Sequence, residues 1–147
     1  MTVRSHFPAD PDYQSRVRES FAQQRVMGYL GATLAQIQPG YCEIHLPFRP
    51  ELCQQDDYIH GGIVGTIADS AAGYAGFSLM PKDSSVLTVE YKLNLIAPAR
   101  GDLLIAKGHV VKTGKTLVIT QAEVGAMTNS EETPCATMLQ TLICLRQ

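Results

Sequence analysis

The segment that decides the fold is Tyr58-Ile-His-Gly-Gly-Ile-Val-Gly-Thr-Ile-Ala-Asp-Ser-Ala-Ala-Gly73. It predicts a helix from about Gly61 to Phe77 or Leu79. A single carboxylate, Asp69, stands in this helix among glycine, alanine and aliphatic residues. Burying an unpaired carboxylate is costly or forces its protonation, so an ordinary core helix would not carry one. The segment therefore predicts a helix with a catalytic acid/base group.

The same helix begins at His60-Gly61-Gly62, where backbone N–H groups have no partner within the helix. Such amides stabilise a developing negative charge. A helix rises about 1.5 Å per residue, so Gly61 and Asp69 lie about 12 Å apart. An oxyanion donor and a base must both lie about 3 Å from the reacting group. The spacing therefore predicts a site between two copies of the chain, where Gly61 of one copy meets Asp69 of the other.

The residues around Asp69 separate into two faces of the predicted helix. The face that carries Asp69 has small neighbours, which predict a thin wall that a substrate or a partner backbone approaches closely: Gly65, Thr66, Ala72 and Gly73. The far face is apolar and suits the hollow of a sheet: Ile63, Ile67, Ala71 and Tyr74. In the alternative interpretation, the small residues only allow the helix to pack tightly, and Asp69 pairs with an arginine or caps a neighbouring amide. The His-Gly-Gly turn favours a catalytic role over this alternative.

The rest of the chain predicts one domain over residues 1–147, with an N-terminal helix at about 10–26 and a core at about 27–146. Two strands are expected before the central helix, at Tyr29 to Gln38 and Tyr41 to Pro47. Four are expected after it: Val86 to Ala97, Leu103 to Lys112, Leu117 to Met127 and Ala136 to Leu145, the last preceded by a polar loop from Thr128 to Pro134. No crossover helix separates these later strands, which favours an α+β fold with an antiparallel sheet around one helix.

Composition excludes several function classes. The net charge of −2 gives no general reason to bind nucleic acid, and no apolar run approaches the roughly 20 residues of a membrane span. The first residues lack the apolar run of a signal peptide, so we expect reduced cysteines and a cytoplasmic location. His and Cys residues share no metal-ligand spacing, and the glycines fit neither a phosphate-binding loop nor a dinucleotide fingerprint. Neither a metal nor a cofactor is predicted.

With these residues in place, the chain resembles the hotdog-fold acyl-CoA thioesterases of the phenylacetate-degradation (PaaI-like) type. The resemblance extends from about Met27 to Leu145. It rests on His-Gly-Gly, an aspartate seven residues after the second glycine, the strand ending Leu-Ile-Ala-Pro-Ala, and Gly-Asp before a hairpin. It implies a long central helix wrapped by a curved antiparallel sheet, an acyl-CoA substrate, and homodimers with sites at their interface, often paired into a homotetramer.

The resemblance also implies roles for individual residues. Asp69 would be the general base for water, or the nucleophile that forms a transient anhydride. The Gly61 amide would hold the thioester oxyanion, and Gly62 would shape the turn. His60 would orient that turn or contact the thioester. Thr88 stands where the family tends to have a hydroxyl that positions the water or Asp69.

Two further sets of residues complete the predicted site. Gln54 stands where the family commonly has an asparagine that places the water or the thioester; glutamine keeps an amide donor and acceptor but adds a methylene. Tyr74, Leu79 and Met80 are expected to shape the acyl pocket. The competing interpretations are an acyl hydratase that uses a histidine, and a non-catalytic acyl-CoA-binding protein. The acyl group and the choice between coenzyme A and acyl-carrier protein stay open.

Overall fold

A computed structural model describes residues 5–147 of the chain. Its elements are α1 (Tyr13–Gln23), α2 (Arg25–Leu30), β1 (Thr33–Gln38), β2 (Tyr41–Pro47), a 3-10 turn (Pro50–Leu52), α3 (Gly61–Phe77), β3 (Ser84–Leu95), β4 (Leu103–Thr113), β5 (Leu117–Thr128) and β6 (Glu131–Arg146). The strands form one antiparallel sheet in the order β1-β2-β4-β5-β6-β3. Residues 1–4 lie outside the described range. They include the predicted start of the domain and part of the segment that lacks the apolar run of a signal peptide.

Helix α3 lies in the hollow of this sheet, and the predicted α+β architecture is confirmed. The side chains of Ile67, Ala71 and Tyr74 on its far face are buried. Gly108 of β4 shows how closely the helix approaches, because a Cβ at that position would lie 2.3 Å from the Ala71 carbonyl oxygen. A side chain there would push the helix off the sheet, so glycine is required for this packing.

A β-bulge in β3 determines which side chains face the helix. The β3–β6 register shifts between Thr88 and Glu90, which inserts one residue into β3. Side chains alternate along a strand, so Thr88 would otherwise point away from the face that carries Leu93 and Leu95. Across the bulge, all three lie against α3: Thr88 contacts Asp69, and the two leucines cover glycines of the helix. Because of the bulge, β3 contacts α3 both through a polar side chain, Thr88, and through apolar side chains, Leu93 and Leu95.

The N-terminal helix prediction was wrong in its extent. Instead of one helix over 10–26, α1 ends at Gln23, and the extended backbone of Gln24 separates it from α2. The strand predicted from Tyr29 begins only at Thr33 because α2 continues to Leu30 and is closed by Gly31 in the left-handed conformation. Met27 and Leu30 of α2 are buried at helical spacing. A helix of six residues has too few apolar positions for its period to be told apart from that of a strand.

The polar loop predicted from Thr128 to Pro134 was also wrong. β5 and β6 instead meet in a tight turn at Asn129 and Ser130, both with positive φ, the conformation of the two-residue hairpin turn that suits strand twist. Pro134 lies within β6 where the β5–β6 register shifts, one of the few strand positions that tolerate proline. The last strand is therefore longer than predicted.

Candidate active site on the central helix

The start of α3 presents one uncommitted backbone donor. His60 is the N-cap, and its Nδ1 accepts the Gly62 N–H at 2.8 Å. The N–H groups of Ile63 and Val64 donate to the His60 carbonyl at 2.9 and 3.1 Å. Within residues 5–147, the Gly61 N–H donates no hydrogen bond. Capping thus satisfies the neighbouring amides and leaves the Gly61 N–H for a ligand.

The helix-start cavity lies beside this amide and has a volume of about 410 Å³; it is lined by Gln54, Tyr58, Ile59, Gly61, Val64 and residues 95–99. Gln54 accepts the backbone N–H groups of Asp56 and Tyr58 through its Oε1, at 2.6 and 3.2 Å. Because both partners are donors, the carbonyl side of the amide must face the loop. The NH₂ side makes no hydrogen bond to any described residue, so it is available to a ligand.

The middle of α3 presents a carboxylate held on one side. Asp69 Oδ1 accepts the Thr88 hydroxyl at 2.7 Å and also accepts the side-chain amide of Gln140. The carbonyl oxygen of Gln140 in turn accepts the Thr120 hydroxyl at 2.9 Å. Gln140 and Thr120 are fully buried, whereas Asp69 is half-buried. No described residue hydrogen-bonds Oδ2 of Asp69, so this oxygen is free for water or substrate.

The mid-helix cavity lies next to this carboxylate and has a volume of about 360 Å³; it is lined by Ser20, Gln24, Asp69, Ser70, Gly73, Tyr74, Val86, Leu87 and Thr88. Its wall is shared by α1, α3 and β3. Ser20 and Tyr74 form a hydroxyl–hydroxyl bond of 3.2 Å, and Ser70 donates to Gln24 at 3.2 Å. Burial raises the pKa of the Tyr74 hydroxyl, which keeps it a neutral hydrogen-bonding group.

The small residues around Asp69 serve two purposes. A Cβ at Gly65 would lie 3.2 Å from a Leu93 methyl, so this glycine lets β3 cross the helix closely. A Cβ at Gly73 would meet nothing within 4 Å, because that position opens into the mid-helix cavity. The thin wall expected from the sequence is thus covered by β3 at Gly65 and open at Gly73.

The predicted site residues fall into three places. The mid-helix cavity brings together Asp69, Thr88 and Tyr74. The helix-start cavity brings together Gln54 and Gly61, with His60 and Gly62 adjacent along the chain.

Leu79 and Met80 lie elsewhere. They line a cavity of about 440 Å³ beyond the end of α3, against residues near the N-terminus and the β4–β5 turn. Within one protomer they therefore do not reach Asp69, and their predicted part in the acyl pocket stays a prediction.

Two buried polar residues of this site, Gln140 and Thr120, were missed from the sequence. A signal existed: the inward-facing positions of β6 are otherwise small or apolar, namely Ala136, Met138, Leu142 and Cys144. A glutamine in that alternation needs a buried partner. The partner was not readable from the sequence, since it depends on the β5–β6 register that pairs Thr120 with Gln140.

Other reactive side chains are kept out of the chemistry by burial. Burial raises the pKa of the Cys42 thiol to about 12 and that of Cys135 to about 11, so both stay protonated and weakly nucleophilic near neutral pH.

Among residues 5–147, no three His, Cys, Asp or Glu side chains form a cluster that could hold a metal ion. Within the same range, no helix is long and apolar enough to cross a membrane.

Comparison with known proteins identifies relatives of this arrangement. The Thioesterase superfamily model matches residues 57–131, which span the start of α3, Asp69 and Thr88. The crystal structure of a thioesterase family protein from Silicibacter pomeroyi is 44% identical, with a TM-score of 0.91, and the match covers 92% of this chain and 99% of that one.

Two further relatives are more distant. Acyl-coenzyme A thioesterase 13 of Homo sapiens is 26% identical over 68% of this chain and 70% of its own length. The PaaI protein from the phenylacetic acid degradation operon of E. coli is 17% identical, with a TM-score of 0.80, over 95% of this chain and 96% of that one, and so shares the fold. The resemblance to PaaI-like hotdog thioesterases is confirmed.

Proposed function

This chain belongs to the thioesterase superfamily and is a thioester hydrolase, and we propose that it hydrolyses acyl-CoA to a free acid and coenzyme A through Asp69 and the Gly61 amide. The observation that carries the proposal is the pair of unsatisfied groups on one helix. Among the described residues, the Gly61 N–H and Asp69 Oδ2 have no hydrogen-bond partner, whereas the N–H groups of the next three residues and Asp69 Oδ1 are all hydrogen-bonded.

The Gly61 amide supplies the oxyanion donor. As the thioester carbonyl becomes tetrahedral, its oxygen gains negative charge, and a fixed N–H at the positive end of α3 stabilises that charge. His60 supports this role indirectly, because its Nδ1 holds the next amide and so fixes the first turn. Gln54 presents its NH₂ group to the same cavity, where it can bind the thioester carbonyl or the water.

Asp69 activates the attacking water. Oδ2 accepts a proton as the water oxygen bonds to the carbonyl carbon, and the tetrahedral intermediate then breaks its C–S bond to release coenzyme A thiolate, which takes up a proton. A thiolate is a good leaving group and needs little protonation, so one carboxylate and an oxyanion donor suffice. A direct attack by Oδ2, through a transient anhydride, uses the same geometry.

A homodimer completes this site. One protomer places the two groups about 12 Å apart along α3, too far to act on one carbonyl. β3 is an edge strand of 12 residues, and it exposes apolar side chains: Leu87, Val89, Tyr91 and Leu95. A long apolar edge of this kind is typical of an interface. A second copy pairing along β3 brings the two helices together, and two such dimers can form a homotetramer.

Coenzyme A is proposed as the thiol because the human relative of similar size is named an acyl-coenzyme A thioesterase. An acyl-carrier protein substrate is the competing choice. The four cysteines are all unpaired, which fits the reducing cytoplasm that we propose as the location.

The test is thiol release from short, long and aryl acyl-CoA, with wild type beside Asp69→Asn. Asparagine has the same shape but cannot accept the proton, so we expect unchanged folding and at least about a 100-fold loss of kcat. A near-normal rate in Asp69→Asn would remove Asp69 from the mechanism. Binding without turnover by the wild type would favour the non-catalytic acyl-CoA-binding function.

A further inference from the structure

We propose that Gln140, held by Thr120, is a positioning residue that fixes the Asp69 carboxylate and makes Oδ2 its reactive oxygen. This inference rests on the proposed function of Asp69. Gln140 lines neither cavity, and within the site its side chain contacts only Asp69, Thr88 and Thr120, so its effect is transmitted through the Asp69 carboxylate.

The groups on its two sides, Asp69 and Thr120, orient the Gln140 amide. The two residues are directly opposite each other in the β5–β6 pairing, and both point inward. The Thr120 hydroxyl donates to Gln140 Oε1 at 2.9 Å. The NH₂ group faces α3, because the Asp69 carboxylate on that side can only accept. The flipped amide would place a carbonyl oxygen against the carboxylate, with acceptors on both sides and no proton between them.

The Gln140 NH₂ group ties three parts of the site together. It donates to Asp69 Oδ1, and it lies 3.4 Å from both the Asp69 main-chain carbonyl and the Thr88 hydroxyl oxygen. The carboxylate is therefore linked to the helix backbone and to β3 through one buried side chain. An amide in an apolar environment is tolerated only with such partners.

The consequence is an asymmetric carboxylate. Oδ1 accepts from both Thr88 and Gln140, which restrains rotation about the Cβ–Cγ bond of Asp69. Oδ2 has no described partner and is directed away from these donors. Effective catalysis requires the base and the water to be held in a near-attack geometry, and a loosely held carboxylate loses that advantage.

The experiment compares three variants in thiol release with a good acyl-CoA substrate. Gln140→Met keeps the side-chain length but removes the donor, and we expect kcat to fall about 10- to 100-fold with KM within about twofold. Thr120→Val removes only the hydroxyl, and we expect a fall in kcat of about fivefold or more. Thr120→Ser keeps the hydroxyl and is expected to restore kcat to within about twofold of wild type.

A double variant separates positioning from simple destabilisation. Once Asp69 is replaced by Asn there is no base to position, so adding Gln140→Met should change the residual rate by less than about twofold. If Gln140→Met does not fold, the Thr120→Val and Thr120→Ser pair decides the question alone.

The outcomes distinguish this inference from the proposed function. Wild-type turnover with a near-normal kcat in both Gln140→Met and Thr120→Val would overturn the inference and leave the role of Asp69 intact. An equal loss in Thr120→Val and Thr120→Ser would also overturn it, because the hydroxyl would then be irrelevant. A wild-type protein that releases no thiol from any thioester would overturn both.

Discussion

The two functional ends of α3 are built in opposite ways. At its start, a local cap satisfies the amides around Gly61 and leaves that one N–H unused. In its middle, distant strands contribute Thr88 and Gln140, which hold one oxygen of Asp69 and leave the other free. An oxyanion donor needs only a fixed backbone, which a helix terminus provides by itself. A base on a side chain needs its rotamer fixed, which requires tertiary contacts.

The largest expected loss of kcat comes from removing the Gly61 N–H at the start of α3. Gly61→Pro deletes the donor at the first helical position, where proline is favoured, and His60 already has the extended backbone that a residue before proline adopts. We expect kcat to fall about 100- to 1,000-fold, as for loss of an oxyanion donor. Steady-state thiol release measures it.

Gly61→Ala is the matched control for that variant. It adds a Cβ, which would lie 2.6 Å from the flexible Leu95 methyl, but it keeps the N–H. We expect its rate to stay within about threefold of wild type once Leu95 rotates away. Equal losses in Gly61→Ala and Gly61→Pro would mean that crowding, rather than the donor, matters at this end of α3.

A smaller effect is expected where Thr88 holds Asp69 in the middle of α3. Thr88→Val removes the hydroxyl that donates to Oδ1 and keeps the shape, and Gln140 still holds the same oxygen. We expect kcat to fall about tenfold, and Thr88→Ser to recover most of it. A Thr88→Val enzyme as fast as wild type would show that Thr88 does not share this task.

The smallest expected effect on kcat comes from Glu43, on the outer face of the sheet. It tests whether the two sites on α3 are independent of that face. Burial by itself raises the pKa of Glu43, but hydrogen bonds from His45 and Tyr41 bring it below its ordinary value of 4.5. A carboxyl with a lowered pKa stabilises the fold above pH 4.5 and loses that contribution as the pH falls through the folded-state pKa.

We therefore expect urea unfolding at stepped pH to show a steeper acid loss of stability in wild type than in Glu43→Gln. Thiol release at pH 7 should be equal in the two proteins, because Glu43 lies on the face of β2 that points away from α3. A lower kcat in Glu43→Gln would link the outer face to the site.

The same contrast explains what the sequence could predict. The start of α3 and its end at Phe77 follow from local signals: a His-Gly-Gly turn, helical spacing and a proline beyond. Asp69 was identifiable because a carboxylate is conspicuous in a helix of small residues. Thr88 came from the resemblance, since its orientation depends on a bulge in β3 that no local pattern revealed.

Errors arose where tertiary contacts override local patterns. The polar composition of the segment from Thr128 to Pro134 predicts a loop, but pairing with β5 makes most of it strand. Gln140 was missed because its partners, Thr120 and Asp69, are distant in sequence and meet only when the sheet wraps the helix.

The most direct test of a site shared between subunits is complementation between Asp69→Asn and Gly61→Pro. Each variant alone should be nearly inactive. If the two groups of one site come from different protomers, a mixed dimer has one intact site and one doubly substituted site. An equal, randomly assorted mixture is then expected to regain about a quarter of the wild-type rate. A mixture no more active than the two variants measured separately would contradict a shared site.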